Sequence, residues 1–244
     1  MTRMAAGRTT HLTVDEIVGC ALDLFDESTS EFSMRTLAAR LKVSPAALYH
    51  HFEKQSDLIS AVVSKVWEEA VAQYMAEVDD PFGNGTDPTG LLVAGAVATR
   101  RAFGRHPRVA PHIAVPVSSG DSRLAGALTV FGAVFERMGL AGDEAGEALY
   151  AYATYVLGSV LLSAHRQLND QDPDGPAGTL RNYSTAADRP PDAPVISEAT
   201  STAIDRTVGI AGSEDEEAIF VGGLRSLLRG LTQRDGTLVG TTAY

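Results

Sequence analysis

Residues 33–52 read Ser33-Met34-Arg35-Thr36-Leu37-Ala38-Ala39-Arg40-Leu41-Lys42-Val43-Ser44-Pro45-Ala46-Ala47-Leu48-Tyr49-His50-His51-Phe52, and this stretch decides the fold. Met34, Leu37, Ala38 and Leu41 recur at the 0, 3, 4, 7 spacing that lines one face of a helix, opening after the hydroxyl of Ser33. Ser44-Pro45 then supplies a capping hydroxyl followed by proline at the first helical position, where its missing N–H costs nothing. Two short helices, Ser33–Leu41 and Pro45–Phe52, joined by a tight turn form a helix-turn-helix, whose second helix enters the DNA major groove. With Leu48 and Phe52 inward, a rotation of 100° per residue sets Ala46 and His50 on the opposite side and Tyr49 and Ala47 on its flanks. That face is small and aromatic. It suits a groove: phenol and imidazole reach phosphates or base edges, and alanine methyls touch thymine.

Helical patterning continues outward on both sides. Upstream, Thr13 and Glu16 have the spacing of a capping box, and Ile17, Ala21, Leu24 and Phe25 follow on one face. Downstream of Gln55-Ser56-Asp57, a long fourth helix carries Leu58, Val62, Val66, Ala70 and Tyr74 as a row, with Trp67 and Val71 beside it. Residues 79–89 hold two prolines and two glycines among aspartates and predict a loop. Further helices are predicted over 90–104, 107–116, 121–139, 144–167 and 214–233. Residues 169–200 contain Pro173, Pro176, Pro190, Pro191 and Pro194 and few large apolar groups, which predicts a mobile insertion. There is no internal repeat and no β-alternation. The expected fold is all-α: a helix-turn-helix, three-helix domain over 10–70 and a larger helical domain over 71–244.

Composition bounds the chemistry. The 244 residues are 44% apolar and 21% charged, enough to bury a sizeable core. The net charge of −11 argues against a protein that coats nucleic acid through bulk charge, yet it is unevenly placed. Residues 1–65 hold seven Lys+Arg against eight Asp+Glu, whereas residues 66–244 hold 13 against 23. A nearly neutral head on an acidic body predicts weak non-specific DNA binding and reliance on a specific site. The single cysteine, Cys20, excludes an internal disulfide and every multi-cysteine metal site, and reads as a small core residue. The basic N-terminus has no apolar stretch behind it, and the longest uncharged run, Ala148–Ala164, has 17 residues where a membrane span needs roughly 20. A cytoplasmic protein is expected. No nucleophile–base spacing, metal-ligand set or cofactor motif is present, so an enzyme is not expected.

Phe32-Ser33-Met34-Arg35-Thr36-Leu37-Ala38, then Leu41-Lys42-Val43-Ser44-Pro45-Ala46-Ala47-Leu48-Tyr49-His50-His51-Phe52, then Asp57-Leu58 resemble the DNA-binding domain of the TetR (tetracycline repressor) family. Residues 220–231 are similar to the last helix of its tetracycline-repressor-type regulatory domain. The resemblance implies an all-helical homodimeric repressor that binds a palindromic operator and leaves it when a small molecule enters the C-terminal domain. Family DNA contacts carry over to Arg35, Pro45, Ala46, Tyr49, His50 and His51. Two departures stand out: Lys42 occupies the turn position where glycine is usual, and Gln55 occupies the usual place of a phosphate-holding base, leaving Lys54 to reach that phosphate. Arg3 and Arg8 form a basic arm able to follow the backbone or a minor groove.

In the C-terminal half, Trp67, Phe103, His106, His112, Phe131, Phe135, Tyr152, Tyr155 and His165 are the candidates for lining a cavity, which fits a mostly apolar, hydrogen-bonding effector. Helices 144–167 and 214–233 are apolar on more than one face. Leu149, Val156 and Val160 on one, and Phe220, Leu224, Leu227, Leu228 and Leu231 on the other, predict a four-helix bundle with a second copy. The alternatives are a protein-interaction regulator with a degenerate helix-turn-helix and a ligand-dependent activator.

Overall fold

The computed structural model describes residues 12–27, 32–80, 85, 87–113, 122–169, 197 and 215–233. Among them the chain is helical without strands. The helices are α1 (Val14–Glu27), α2 (Met34–Leu41), α3 (Pro45–Tyr49), α4 (Gln55–Glu77), α5 (Pro88–Arg105), α6 (Ser122–Arg137), α7 (Asp143–Asn169) and α8 (Asp215–Thr232). Apart from Asn169 and Ser197, the insertion expected over 169–200 lies outside the described residues, as does the arm with Arg3 and Arg8.

The caps form as read. The Thr13 backbone N–H donates to Glu16 at 2.9 Å and the Glu16 N–H donates to the Thr13 hydroxyl at 3.2 Å, closing the box that starts α1. Asp87 accepts from the N–H groups of Thr89 and Gly90 at 3.1 and 3.0 Å and starts α5, with Pro88 inside it. Two boundaries differ from the periodicity. Helix α3 ends at Tyr49, because His51 and Phe52 both turn their N–H groups back to the Leu48 carbonyl at 3.0 Å. Over 107–113, the described part of the helix expected over 107–116, the chain is instead a turn with one 3-10 segment, Ala110–His112, because Pro107 and Pro111 interrupt the N–H ladder.

Helix α5 is the centre of the molecule. Leu91, Leu92, Phe103 and the run from Gly95 to Thr99 are all buried, so the middle turn is covered on every side, while Arg101 and Arg105 stay exposed toward the C-terminal end. Small residues make the crowding possible: a Cβ at Gly95 would sit 2.6 Å from the Phe131 ring of α6. Two apolar clusters meet along this helix. The first joins α1, α2, α3 and the start of α4 to Phe103, Val109, Ala110 and Ile113, with Val160 and Ala164 of α7. The second joins Tyr74 and the first half of α5 to α6, α7 and α8. The division expected at residue 70 therefore falls within a continuous α4, and the head borrows core from the far end of α5.

Charge holds α8 in place. Arg100 donates to Ser159 at 3.0 Å, contacts Glu216, and lies over the Phe220 ring at 5.4 Å. Arg101 grips Glu217 with two bonds of 2.8 and 2.6 Å and reaches Glu77 at 3.3 Å. The Arg101 guanidinium holds the Glu217 carboxyl below the usual carboxylate range.

That depressed carboxyl fixes the sign of a pH effect: its contribution is fully present above the unfolded carboxylate pKa, about 4.3, and is lost as pH falls through the lower folded value. Glu217→Gln is expected to cost about 0.5 kcal/mol at pH 7, modest because the pair is partly exposed, with the difference in thermal midpoint from wild type shrinking as pH falls below the unfolded carboxylate value. Lys42 generates the second prediction. It sits at φ 57°, ψ 38°, in the left-handed region, closing α2 with its N–H on the Ala39 carbonyl at 3.2 Å and the Val43 N–H on Ala38 at 3.0 Å. Lys42→Gly removes the Cβ conflict and should stabilise the head by about 0.5–1 kcal/mol, read as a higher denaturation midpoint.

Candidate nucleic-acid interface and effector site

The helix-turn-helix is built by local hydrogen bonds. The Ser33 hydroxyl accepts from the Thr36 N–H at 3.1 Å, and the Ser44 hydroxyl accepts from the Ala47 N–H at 3.3 Å. Leu48, fully buried, and Phe52, 8% exposed, anchor α3 to the head core. The opposite face is open: Pro45, Ala46 and His50 are exposed, Tyr49 is 50% exposed, and Ala47 and His51 are half-buried. A large aromatic left half in water on a short helix is not needed to hold that helix, whose inward pair already does so. Arg35 is exposed on α2.

The neighbouring cations have separate duties. Arg40 is gripped by Glu27 through bonds of 2.5 and 2.7 Å, which ties α2 to α1. Gln55, the departure from the basic residue, donates from its amide to the Phe32 carbonyl at 3.3 Å and fastens the start of α4 to the chain before α2. Lys54 caps α4 through its backbone, whose N–H donates to Asp57 at 3.0 Å; its exposed ammonium takes no part in that cap. Arg35, Tyr49, His50 and Lys54 thus remain on the surface of one small unit.

The candidate effector residues divide into four groups. Phe131, Phe135 and Tyr152 meet edge to face, with Tyr152 centroids 5.5 and 6.0 Å from the two phenylalanines. Tyr152 donates to the Leu92 carbonyl at 2.8 Å, and burial pushes its hydroxyl well above the ordinary phenol range. Tyr155 stacks on Phe220 and donates to its carbonyl at 3.0 Å, so its hydroxyl is also engaged. Trp67 lies edge-on to Phe103 at 5.2 Å. The histidines go elsewhere. His106 lies between Asp26 and Glu69 at 2.8 and 3.3 Å, at the junction with the head. His112 packs edge-on to Phe25 of α1 at 5.8 Å, where burial lowers its affinity for a proton. His165 is exposed on α7.

One residue was not nominated from sequence as an effector contact. Tyr74, 7% exposed, packs edge-on to Phe131 at 6.3 Å, and its buried hydroxyl has no hydrogen-bond partner. The Trp67 indole N–H and the Gln73 carbonyl oxygen are buried and unpartnered as well. Trp67 and Tyr74 are seven positions apart on α4, hence on one face and about 10 Å apart along the axis. That spacing was the signal available in the sequence. Among the described residues no cluster of three metal-ligating side chains is present.

The residues nominated for a partner subunit are largely consumed inside the chain. Val156, Val160, Phe220, Leu224 and Leu228 are buried in its own core, and Leu149, Leu227 and Leu231 are half-buried there, because α7 and α8 turn those rows against α5 and each other. The apolar side chains left outward on the two helices are Tyr150, Leu161, Leu162 and Ile219, from 40% to 76% exposed.

Comparison with known proteins follows the same division. Residues 17–62 match the family described as "Bacterial regulatory proteins, tetR family", and residues 89–234 match the "Tetracyclin repressor-like, C-terminal domain". No curated protein matches the chain. A possible TetR family transcriptional regulator from Streptomyces coelicolor A3(2) is 26% identical, with a TM-score of 0.66 over 90% of this chain and 98% of its own. BioQ with its natural double-stranded DNA operator is 19% identical, with a TM-score of 0.61 over 91% and 99%. A TetR variant from Acinetobacter baumannii AYE in complex with minocycline is 21% identical, with a TM-score of 0.63 over 93% and 99%. With the C-terminal match alone spanning more than half of the residues, the chain belongs to the tetR family of bacterial regulatory proteins and is a DNA-binding transcriptional regulator rather than an enzyme.

Proposed function

We propose that this regulator is a homodimeric repressor that leaves a palindromic operator when a small, flat, largely apolar molecule binds between α4 and α6. The observation that carries the DNA half is the outward face of α3. Ala46, Tyr49 and His50 are exposed on a helix whose packing is complete without them, with Arg35 and Lys54 at its margins for phosphate. BioQ, a structure similar to this one, was solved with its double-stranded DNA operator, which supports operator binding as the role of this fold. Twofold symmetry would present two copies of α3 to half-sites about one helical turn apart. The outward Leu161, Leu162 and Ile219 of α7 and α8 are the apolar positions left for the second copy. A cytoplasmic location agrees with binding DNA, and among the described residues no helix is long and apolar enough to cross a membrane.

The effector half rests on the unpartnered donors. Leaving a buried donor without an acceptor costs about 1–3 kcal/mol, so the Trp67 N–H and Tyr74 hydroxyl call for acceptor oxygens. The edge-on rings of Phe103 and Phe131 beside them favour an aromatic skeleton between those oxygens. The minocycline-bound relative carries a ligand of that broad type.

Replacing Tyr49 and His50 together by alanine should weaken operator binding at least about 30-fold, on the scale of two lost base or phosphate contacts, while leaving the thermal midpoint unchanged. A protein-interaction regulator with a degenerate helix-turn-helix would show no such loss, since wild type would not prefer any sequence selected from random DNA. Trp67 is the chain's single tryptophan, so its emission reports the effector site directly. Titration with planar aromatic carbonyl compounds, minocycline and alizarin among them, is expected to quench it, and Tyr74→Phe should weaken that binding about 5-fold, the worth of one hydrogen bond. A ligand that strengthens operator binding would convert the reading to a ligand-dependent activator.

A further inference from the structure

We propose that His106 is the positioning residue that transmits between the DNA-binding head and the regulatory domain. Its imidazole closes α5 at a place where α1, α4 and α5 converge. Nδ1 lies 2.8 Å from Oδ2 of Asp26, at the end of α1, and Nε2 lies 3.3 Å from Oε2 of Glu69, in the middle of α4. The ring is only 13% exposed. Arg105 adds a bond of 3.0 Å to the same Glu69 oxygen, and Arg108 reaches the Asp26 backbone carbonyl at 3.5 Å. Burial pushes the Glu69 carboxyl up, and the Arg105 and His106 contacts more than offset it, leaving Glu69 below the usual carboxylate range.

The surrounding contacts do not fix position in this way. Val109, Ala110 and Ile113 enter the head's apolar cluster and His112 meets Phe25 edge-on, but apolar contact is not directional and does not by itself specify one pairing of groups. Hydrogen bonds are steep in distance and angle. A planar ring engaged at both nitrogens admits one arrangement of α1, α4 and the end of α5. Any shift of α5 against α4 lengthens one bond or the other, and that gives the coupled domains two discrete registers rather than a continuum. Asp26, Glu69, Arg105 and Arg108 are the charged groups at the ring, and each belongs to a different step of the path: head, connecting helix, the last turn of α5, and the segment behind it.

Reciprocity supplies a test that needs no effector, because operator binding at the head must act on the regulatory domain as strongly as the effector acts on the operator. Full-length protein is mixed with an operator selected from random DNA, and amide hydrogen exchange is followed by mass spectrometry. In wild type the operator should slow exchange of α2–α3 and also of residues 103–113, the latter by at least about 5-fold, the lower end of typical allosteric coupling. In His106→Ala the slowing of α2–α3 persists while that at 103–113 is lost. His106→Asn, with a donor near the Nδ1 position, and His106→Gln, with one near Nε2, each restore part of it. A residue that only adds stability would raise basal exchange in the variant but leave the operator-induced ratio intact, and that result overturns the proposal. So does wild-type slowing that stops at α4. If His106→Ala loses its helical circular dichroism, Asp26→Ala and Glu69→Ala, which alter partly exposed carboxylates, carry the same comparison with the same two outcomes.

Discussion

The covering of the middle of α5 on every side is the constraint from which the rest of the structure follows. A helical turn buried all round has no polar face to offer water, so its neighbours must supply both apolar contact and partners for whatever polar groups it carries there. Small residues at Gly95, Ala96 and Ala98 let the surrounding helices approach closely, and the Phe131 ring occupies the space a Cβ at Gly95 would need. Thr99, the buried polar residue of this run, turns its hydroxyl onto the Gly95 carbonyl at 2.9 Å and needs nothing from outside. The arginines cluster at the C-terminal end, where Arg100 and Arg101 recruit the acids that open α8. Acids at a helix N-terminus oppose the local dipole, so Glu216 and Glu217 favour the start of α8 as well as pairing with α5, while Arg105 does the same for the last turn of α5.

The same helix also contributes to the core of the head. Phe103, Val109, Ala110 and Ile113 complete a core that α1, α2 and α3 begin. Within the head, short elements are held by caps rather than by length: five residues of α3 cannot persist as an isolated helix, and the Ser44 cap, Pro45 and the inward Leu48 and Phe52 do what helix propensity cannot. Consuming Leu48 and Phe52 inward is what leaves Tyr49 and His50 outward, so the packing that stabilises α3 also sets which face it presents to solvent. Charge is placed with the same economy: Arg40 is paired with Glu27, and Arg101 and Arg105 with acids of α4 and α8.

The helices of the head were legible in sequence because periodicity, caps and turn chemistry agreed there. The Thr13 and Ser44 caps form with the bonds their spacing demands. Lys42 shows where local preference yields to packing: a lysine holds the left-handed position because Leu37 and Leu48, both fully buried, fix the two helices on either side of it. The ends of elements were harder to read, since Pro107 and Pro111 dissolve an expected helix into a turn. In the regulatory domain the apolar rows of α7 and α8 were visible, but hydrophobicity alone does not say whether a row faces its own subunit or another. Val156 and Leu224 face inward because α5 claims them, which is a fact of tertiary geometry. The histidines scattered for the same reason. Imidazole suits a cavity wall, a carboxylate bridge or an aromatic edge equally well, and only the positions of Asp26, Glu69 and Phe25 assign His106 and His112 to the junction.

Unsatisfied polar groups are the natural currency for a switch in such a fold. Most polar side chains of the interior have found partners: Tyr152 on the Leu92 carbonyl, Tyr155 on that of Phe220, Arg100 on two serines and an acid. Those bonds tie α5 to α7 and α7 to α8, and they have no reason to change when a ligand arrives. The Trp67 and Tyr74 donors differ in sitting on α4, the helix that also begins the head. A ligand that satisfies them gains most in whichever arrangement of α4 presents both at once, and it shifts the equilibrium only by that difference in affinity. Each orphaned donor is worth about 1–3 kcal/mol, so two of them span the 1–3 kcal/mol typical of allosteric coupling with no need for large new contacts. On the proposed reading, Glu69 lies between those two donors on α4, so a displacement of that helix that seated a ligand would also act on the His106 bridge.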